Sequence, residues 1–511
     1  MTAADGKEVN RAVGQNYLIH IIILLAIAAG VGIYLIATTV LIAKDGVFYI
    51  ERAQEFSSDP VGIIKGHPFG YPFLIFVTHK FAATFSDGSS VYSWIYSAQA
   101  ITLFCRLIAL MVLYFIGRFL FGGKVSFWAI LILAVLPWPA EIGSDVLRDW
   151  PHMLFLAAGF LFLIWGAAQS KWWLLGLAGL AAGLGQMIRP ECAQLVLYGI
   201  IWLVLSLFRQ RQEKTKVLCA ALSLLICFAI PTAFYAKARG KVLPVKLKQL
   251  ISSSAQPELN RTKEQDSNDH NHIYAASNLP GKIVKAIGKL FERISENLMY
   301  FFLPGLLIGM YYRLCKKSKA TQQERFFMPA FIILNIIMLT LLYCNYEYIS
   351  RRHVLPLVAI SIFYVPIGLG KLAEWFGDRF SKERLESSEN RRRWFLVLVL
   401  IGMGICVPKL LKPIRIEKAG YRDAARWLDK HTGKDDIIAV PDKRIGFYAQ
   451  RAGIETADDE IPEEASYIVK IEGSDDERLT SHQNLHQEYW QYVDKRKKKG
   501  KVVIYKILLA G

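Results

Sequence analysis

Apolar residues run through this chain in long blocks separated by short polar stretches. The first block, Tyr17 to Ala43, is followed by others at Val91 to Ile116, Val125 to Ala140, Pro151 to Ala168, Trp172 to Ile188, Glu191 to Phe208, Val217 to Ala236, Leu298 to Leu314, Phe326 to Tyr343, Val354 to Gly370 and Trp394 to Leu411. A helix rises about 1.5 Å per residue, so some 18 to 20 apolar residues cross a hydrocarbon core of roughly 30 Å. The pattern predicts a polytopic α-helical membrane protein of about eleven transmembrane helices. The first block is too long for the apolar region of a cleaved signal and lacks a cleavage site, so it is expected to remain as a signal anchor.

Other stretches carry a different period. Lys282 to Leu298 places Ile283, Val284, Ile287, Leu290, Phe291, Ile294 and Leu298 on one helical face and Lys282, Lys285, Lys289 and Arg293 on others, as in a helix lying in the membrane interface. A similar helix is expected from Val47 to Phe56. Gly240 to Pro280, polar and holding His270 and His272, reads as a mobile loop. Beyond residue 411 the composition breaks. Tyr421 to His431 has helical periodicity, while Asp436 to Val440, Ala465 to Ile471 and Val502 to Leu508 read as strands. These elements predict a small C-terminal α/β domain, 412–511, after a transmembrane domain, 1–411.

Composition agrees. The chain has 511 residues, 53% of them hydrophobic and 20% charged, which excludes a disordered chain and an ordinary soluble enzyme. Its net charge of +18 would point to nucleic acid in a soluble protein. Here the basic residues collect in short connections, Arg209 to Lys216, Arg313 to Arg325 and Lys371 to Arg393, so no nucleic-acid partner is inferred. Such loops stay cytoplasmic. The N-terminus is then cytoplasmic, the C-terminal domain is periplasmic, and outer loops comprise 44–90, 141–150, 237–297, the Arg189 to Glu191 turn and Asn345 to His353. The cysteines, seven in all, lie mostly in or beside the spans and form no CxxC pair, so neither a disulfide framework nor a cysteine metal site is expected. No GxSxG, HExxH or glycine-rich phosphate loop occurs, and no internal repeat supports a transporter built from inverted repeats.

The outer loops hold the candidate chemistry. Asp45 stands at the mouth of the first span, where a helix-terminal carboxylate is cheap to solvate but also a candidate general base. Glu141, Asp145 and Asp149 share one short loop. They are either a polar connection or a second carboxylate site opposite Asp45 for an acceptor, a sugar hydroxyl or a divalent cation, with Asp145 favoured and an Arg148 pair the bland reading for Asp149. Arg351, Arg352 and Arg189 sit on the outer face against the charge rule. Guanidinium groups there either snorkel to headgroups or hold a phosphate bidentately, and a structural pair with Glu191 is the rival for Arg189. His67 and Tyr71 lie in the rigid run Gly66-His67-Pro68-Phe69-Gly70-Tyr71-Pro72, and His353 follows the arginine pair. His270 and His272 lack partners at metal spacing, so no metal ligands are assigned.

In order, Lys44-Asp45-Gly46-Val47-Phe48-Tyr49-Ile50-Glu51-Arg52-Ala53, His67-Pro68-Phe69-Gly70-Tyr71-Pro72, Ser144-Asp145-Val146, Ile188-Arg189-Pro190-Glu191 and Arg351-Arg352-His353-Val354-Leu355-Pro356 resemble the landmarks of GT-C glycosyltransferases, in particular the bacterial protein-mannosyltransferase-like and aminoarabinose-transferase-like enzymes. The resemblance implies a GT-C-like transmembrane domain in a bacterial inner membrane and a polyprenyl-phosphate sugar donor. It implies Asp45 as the base, Asp145 as the second acidic residue and Arg352 in the place of the family's common Arg-Tyr pair; the donor phosphate is then expected on Arg352, with Arg351 or Arg189 as a further cation. The acceptor would be a lipid, a glycan or a protein, the face periplasmic, the anomeric centre inverted. Two departures stand out: Gly46 where many relatives have glutamate, and His353 where a tyrosine often follows the arginine. An O-antigen polymerase or ligase and a lipid-linked sugar transporter are the alternatives. The first would not require a carboxylate at Asp45, and the second should carry polar residues at the bundle midplane.

Overall fold

The computed structural model describes residues 3–85, 88, 90–208, 213–240, 279–316, 320–380, 387–456, 462, 464–472, 485–494 and 500–507. The loop expected from Gly240 to Pro280, with His270 and His272, lies outside the described residues except at its ends.

Each apolar block is helical. In chain order the helices are α1 (Ala3–Thr38), α2 (Lys44–Glu55), α3 (Pro60–Gly66), α4 (Gly70–Ala82), α5 (Val91–Phe121), α6 (Gly123–Val135), α7 (Pro137–Ile142), α8 (Asp149–Gln169), α9 (Trp172–Gln186), α10 (Gln194–Phe208), α11 (Lys214–Arg239), α12 (Leu279–Asn297), α13 (Leu303–Met310), α14 (Gln322–Tyr346), α15 (Leu355–Ser361), α16 (Tyr364–Phe380) and α17 (Ser387–Leu410). Among the described residues, seven segments are long and apolar enough to cross a membrane, within α1, α5, α8, α10 with the turn before it, α11, α14 and α17. An eighth is the broken pair α15 and α16, bent by 53°. The other three expected spans are shorter helices, α6 of 13 residues, α9 of 15 and α13 of 8, the last continued by a π turn at Tyr311–Cys315. Fifteen residues reach only about 22 Å, so the expected eleven full crossings are not met by length. Hydropathy marks these blocks as apolar without showing where the helix stops.

Close backbone contact holds the short helices. A Cβ at Gly309 of α13 would lie 1.8 Å from the carbonyl oxygen of Tyr364, and one at Gly368 of α16 would lie 1.9 Å from that of Gly305. Only glycine permits such contact, the usual device for packing helices that gain nothing by leaving lipid.

The bundle has two chemically different ends. At one, His20 meets Tyr114, Arg118 lies over Tyr17, Arg313 bonds Glu324 and the Leu120 carbonyl, and Lys371 lies over Tyr312. Trp202, near the end of α10, packs on Phe326 at the start of α14. The described flanks of all three basic connections therefore gather there. The first-loop helices α2, α3 and α4 and every candidate site residue lie at the other end.

The tail carries α18 (Ala419–His431), β1 (Ile438–Val440), α19 (Lys443–Ala449), β2 (Gly453–Glu455), β3 (Tyr467–Glu472), β4 (Leu485–Asp494) and β5 (Gly500–Ile507), with sheet order β2-β1-β3-β5-β4. β1 is parallel to both β2 and β3, whereas β5 runs antiparallel to β3 and β4. Side chains alternate across the sheet as the pleat requires. Ala439, Ile468, Val503 and Tyr505 form a small cluster on one face. Ile438, Val440, Val469, Val502 and Ile504 face the other way and join Leu41, Ile42, Val47, Ile50, Tyr71 and Val146 in a single core. The main core of this tail is thus shared with the first loop.

Enlarging the α13–α16 contact should destabilise the bundle: Gly309→Val is expected to cost at least about 1–3 kcal/mol through overpacking. The check is thermal denaturation in detergent, with Gly404→Ala, whose Cβ would meet nothing within 4 Å, remaining near wild type.

Candidate active site

Residues Thr39 to Ala43 lead from α1 into α2, and Asp45 occupies the first turn of α2, where unpaired backbone N–H groups favour a carboxylate. The helix buries Val47, Ile50 and Ala53 and leaves Lys44 and Asp45 exposed. Gly46 lies on the 141–150 loop. A Cβ there would be 2.9 Å from that of Val146, which accounts physically for glycine in place of glutamate at this position.

Arg352, from the turn after α14, reaches across and donates from Nη1 to Asp45 Oδ2 at 2.8 Å. The pair is open to solvent, the Asp45 side chain 49% and that of Arg352 32% exposed. It stands between two clefts. One, of about 240 Å³, has Arg352 in its wall with Trp138, Glu141, Arg293, Arg351 and Arg415. The other, of about 290 Å³, is lined by Lys44, Asp45, Phe48, Tyr49, Lys443 and Glu455.

Asp145 is not a second open acid facing Asp45. It has no exposed surface; Oδ1 accepts from the N–H groups of Ala43 at 3.0 Å and Val146 at 2.7 Å, and Oδ2 accepts from Arg415 Nη2 at 2.6 Å. These three donors tie Asp145 to the chain just ahead of Asp45, to its own loop and to the tail, at the wall of the first cleft. Glu141 lies nearby along the first cleft, and burial lifts its carboxyl above the usual range despite Arg415.

Arg189 is also committed. It is buried, donates to Asp149 Oδ1 at 2.7 Å and lies 3.6 Å from Glu191 Oε1. Burial opposes its charge, but Glu191 and Asp149 hold it protonated, above the ordinary arginine value. The ion-pair reading therefore describes Arg189 in this structure better than an open phosphate cation does. Arg148, expected beside Asp149, instead lies over the Tyr49 ring at 5.8 Å and donates to the Ile188 carbonyl. Burial, with Arg189 nearby, lowers His353 to about 4, so the imidazole is neutral; its Nδ1 accepts from the Ser350 N–H at 3.2 Å, which puts the proton on Nε2.

Arg351 donates from Nε to Glu296 Oε2 at 2.9 Å and lies 3.5 Å over Trp138, and Lys409 Nζ lies 3.7 Å over the same ring. Glu296 also accepts from Arg293 at 2.6 Å; burial would raise its carboxyl, but the two arginines hold it below the usual range. His67 is exposed and meets Phe48 edge-on at 5.2 Å. Tyr71 is buried, bonded to Thr102 at 2.7 Å and edge-on to Tyr49. It packs the loop and does not face a cleft.

The structure thus brings Asp45, Arg352, Arg351 and Glu141 together and sends Asp145, Asp149, Arg189 and Tyr71 into supporting contacts. Sequence reasoning missed Trp138, Glu296, Lys409, Arg415 and Lys443. The available signal was charge at the outer ends of helices, which marks Glu296 and Lys409 and says nothing of their partners. Among the described residues, no group of three or more His, Cys, Asp or Glu side chains could hold a metal ion.

Residues 67–234 match the family model for dolichyl-phosphate-mannose-protein mannosyltransferases. No curated protein sequence matches the chain. The fold is similar to that of ArnT from Cupriavidus metallidurans bound to undecaprenyl phosphate, at 12% identity and a TM-score of 0.58, covering 95% of this chain and 97% of that one. The apo state of the same protein gives 11% identity and a TM-score of 0.57 over 96% and 98%. The Archaeoglobus fulgidus oligosaccharyltransferase tethered to an acceptor peptide scores 0.48 at 11% identity, over 88% and 69%. The family match is confined to α4 to α11, while the GT-C-like membrane fold is similar to that of ArnT along nearly the whole chain.

Proposed function

We propose that the protein moves a sugar from a polyprenyl-phosphate donor to an acceptor hydroxyl, with inversion, on the periplasmic side of a bacterial inner membrane. The observation that carries this reading is the Asp45–Arg352 pair at 2.8 Å, a base and a phosphate-binding cation held together between two clefts. The basic connections at the opposite end support the orientation, since short Lys- and Arg-rich loops remain cytoplasmic.

The donor phosphate occupies the arginine-rich cleft beside Arg352 and Arg351, with Lys409 and Trp138 behind them. The acceptor approaches Asp45 through the cleft between α2 and the tail, past Lys44, Phe48, Tyr49 and Lys443. An in-line displacement needs attacking and leaving oxygens on opposite sides of the anomeric carbon, with the reacting atoms first held roughly 3–3.5 Å apart. The sugar therefore enters between Asp45 and Arg352. Arg352 exchanges its carboxylate partner for the phosphate, and Asp45 is freed to act as base. As the acceptor oxygen bonds to the anomeric carbon, its proton passes to Asp45. The anomeric carbon–oxygen bond to phosphate breaks, its electron pair stays on the phosphate, and Arg352 stabilises the charge that develops there. The product lipid is polyprenyl phosphate.

In membranes supplied with radiolabelled polyprenyl-phosphate sugars and native acceptors, Asp45→Asn at equal protein level should reduce transfer by roughly 10²–10⁴-fold; unchanged transfer would remove Asp45 as base. Arg352→Ala should lose about 1.5–3 kcal/mol of donor binding and transition-state stabilisation, read as a fall in kcat/KM for the donor, and Arg352→Lys should recover only part because it lacks the planar fork. Asp145→Ala should behave differently from both. Leaving the Arg415 guanidinium without its carboxylate should cost about 3–5 kcal/mol and appear first as lost protein in the membrane.

A further inference from the structure

The tail reaches back to the strand of chain that precedes Asp45. Val40, Leu41 and Ile42 are consecutive, and each of their carbonyl oxygens accepts from a different tail arginine: Val40 from Arg422 Nη1 at 2.6 Å, Leu41 from Arg415 Nη1 at 2.9 Å, and Ile42 from Arg444 Nη1 at 3.1 Å. The amides are held as well. Val40 donates to the Ile414 carbonyl at 3.1 Å, Ile42 to Tyr448 Oη at 3.2 Å, and Ala43 to Asp145, which is itself paired with Arg415. One residue later, Lys44 pairs with Glu455 of β2.

Each arginine is itself fixed. Arg444 is buried and forked onto Asp442, and Arg422 lies over the rings of Tyr92 and Tyr448 at 5.1 and 4.9 Å. Nothing inside residues 40–43 would hold this short bent connection, because its polar groups point outward to the tail and the 141–150 loop. The main-chain path into the first turn of α2 is therefore set by residues some 370 to 410 positions away in sequence.

We propose that Arg415, Arg422 and Arg444 are positioning residues for transfer: through the Val40–Ile42 carbonyls they fix where Asp45 stands relative to the acceptor hydroxyl. This rests on Asp45 being the base. A displacement of about 1 Å at a reacting group can cost on the order of 10²-fold in rate, so the tail is part of the catalytic geometry although its arginines touch neither substrate.

Arg422 offers the cleanest test, since Arg415 and Arg444 also neutralise Asp145 and Asp442. In full-length protein in nanodiscs, hydrogen exchange should rise for residues 40–48 in Arg422→Ala while the strands of the tail keep their protection. In the membrane transfer assay, Arg422→Ala should lower kcat about 10-fold with donor KM within about twofold, and Arg422→Lys should restore most of it. Arg451→Ala, which removes bonds only within the tail, should leave kcat near wild type. In an Asp45→Asn background, Arg422→Ala should add no further loss, because a contact acting through Asp45 has nothing left to position. Unchanged exchange at residues 40–48, or an equal loss with and without the Asp45 carboxylate, would overturn the proposal. Full transfer by Asp45→Asn alone would instead remove the reading on which it stands.

Discussion

Asp145 is the buried point at which the membrane bundle, the first loop and the tail are tied together. Its carboxylate has no exposed surface and takes three donors from three parts of the chain: the Ala43 amide, its neighbour's amide at Val146 and the Arg415 guanidinium. A carboxylate removed from water is tolerated only when its charge and lone pairs are met, so the surrounding backbone has little freedom to move without leaving one of them unmatched. The start of α2, the close seat of Gly46 on Val146 and the approach of the tail all follow from satisfying this one group. Asp45, on the first turn of α2, stays exposed.

The end of the bundle that carries Asp45 holds many cations, and most have a carboxylate within ion-pair distance. Arg189 is matched by Asp149 and Glu191, Arg415 by Asp145, and Arg351 shares Glu296 with Arg293, which also lies 3.7 Å from Glu292 Oε1. Among the described residues, Lys409 and Arg148 lie over aromatic rings with no carboxylate partner. The Arg352–Asp45 pair differs from the buried ones in being open to water, where an ion pair is weak and readily exchanged. An anion arriving at this end therefore meets an Arg352–Asp45 pair that can open for little free energy, as can the exposed Lys44–Glu455 pair on the same cleft.

The membrane blocks, the amphipathic helix before Leu298, the strands from Val502 and Tyr467, and a carboxylate at the first span's mouth were all readable from periodicity and charge. Other features were not. β4, Leu485–Asp494, lacks an apolar run, and α19, Lys443–Ala449, is too short to carry a helical period, so neither stood out. The partner of Asp145 lies 270 positions away in a segment whose charges looked like an ordinary polar tail. Arg189, read as a possible phosphate ligand because it sits on the outer face, has its charge taken up by two carboxylates once the chain folds.

Local patterning by itself determined the membrane class, the helical blocks, the two charge-distinct faces and the residue types available for chemistry. Those are properties of short windows, set by hydropathy, spacing and the 3.6- and 2-residue periods. Only the tertiary structure decided which apolar blocks end short of a full crossing, which carboxylate stays exposed and which is buried, and which arginine meets Asp45. These depend on contacts between residues far apart in the chain, and desolvation, which separates a structural charge from an exchangeable one, exists only after those contacts have formed.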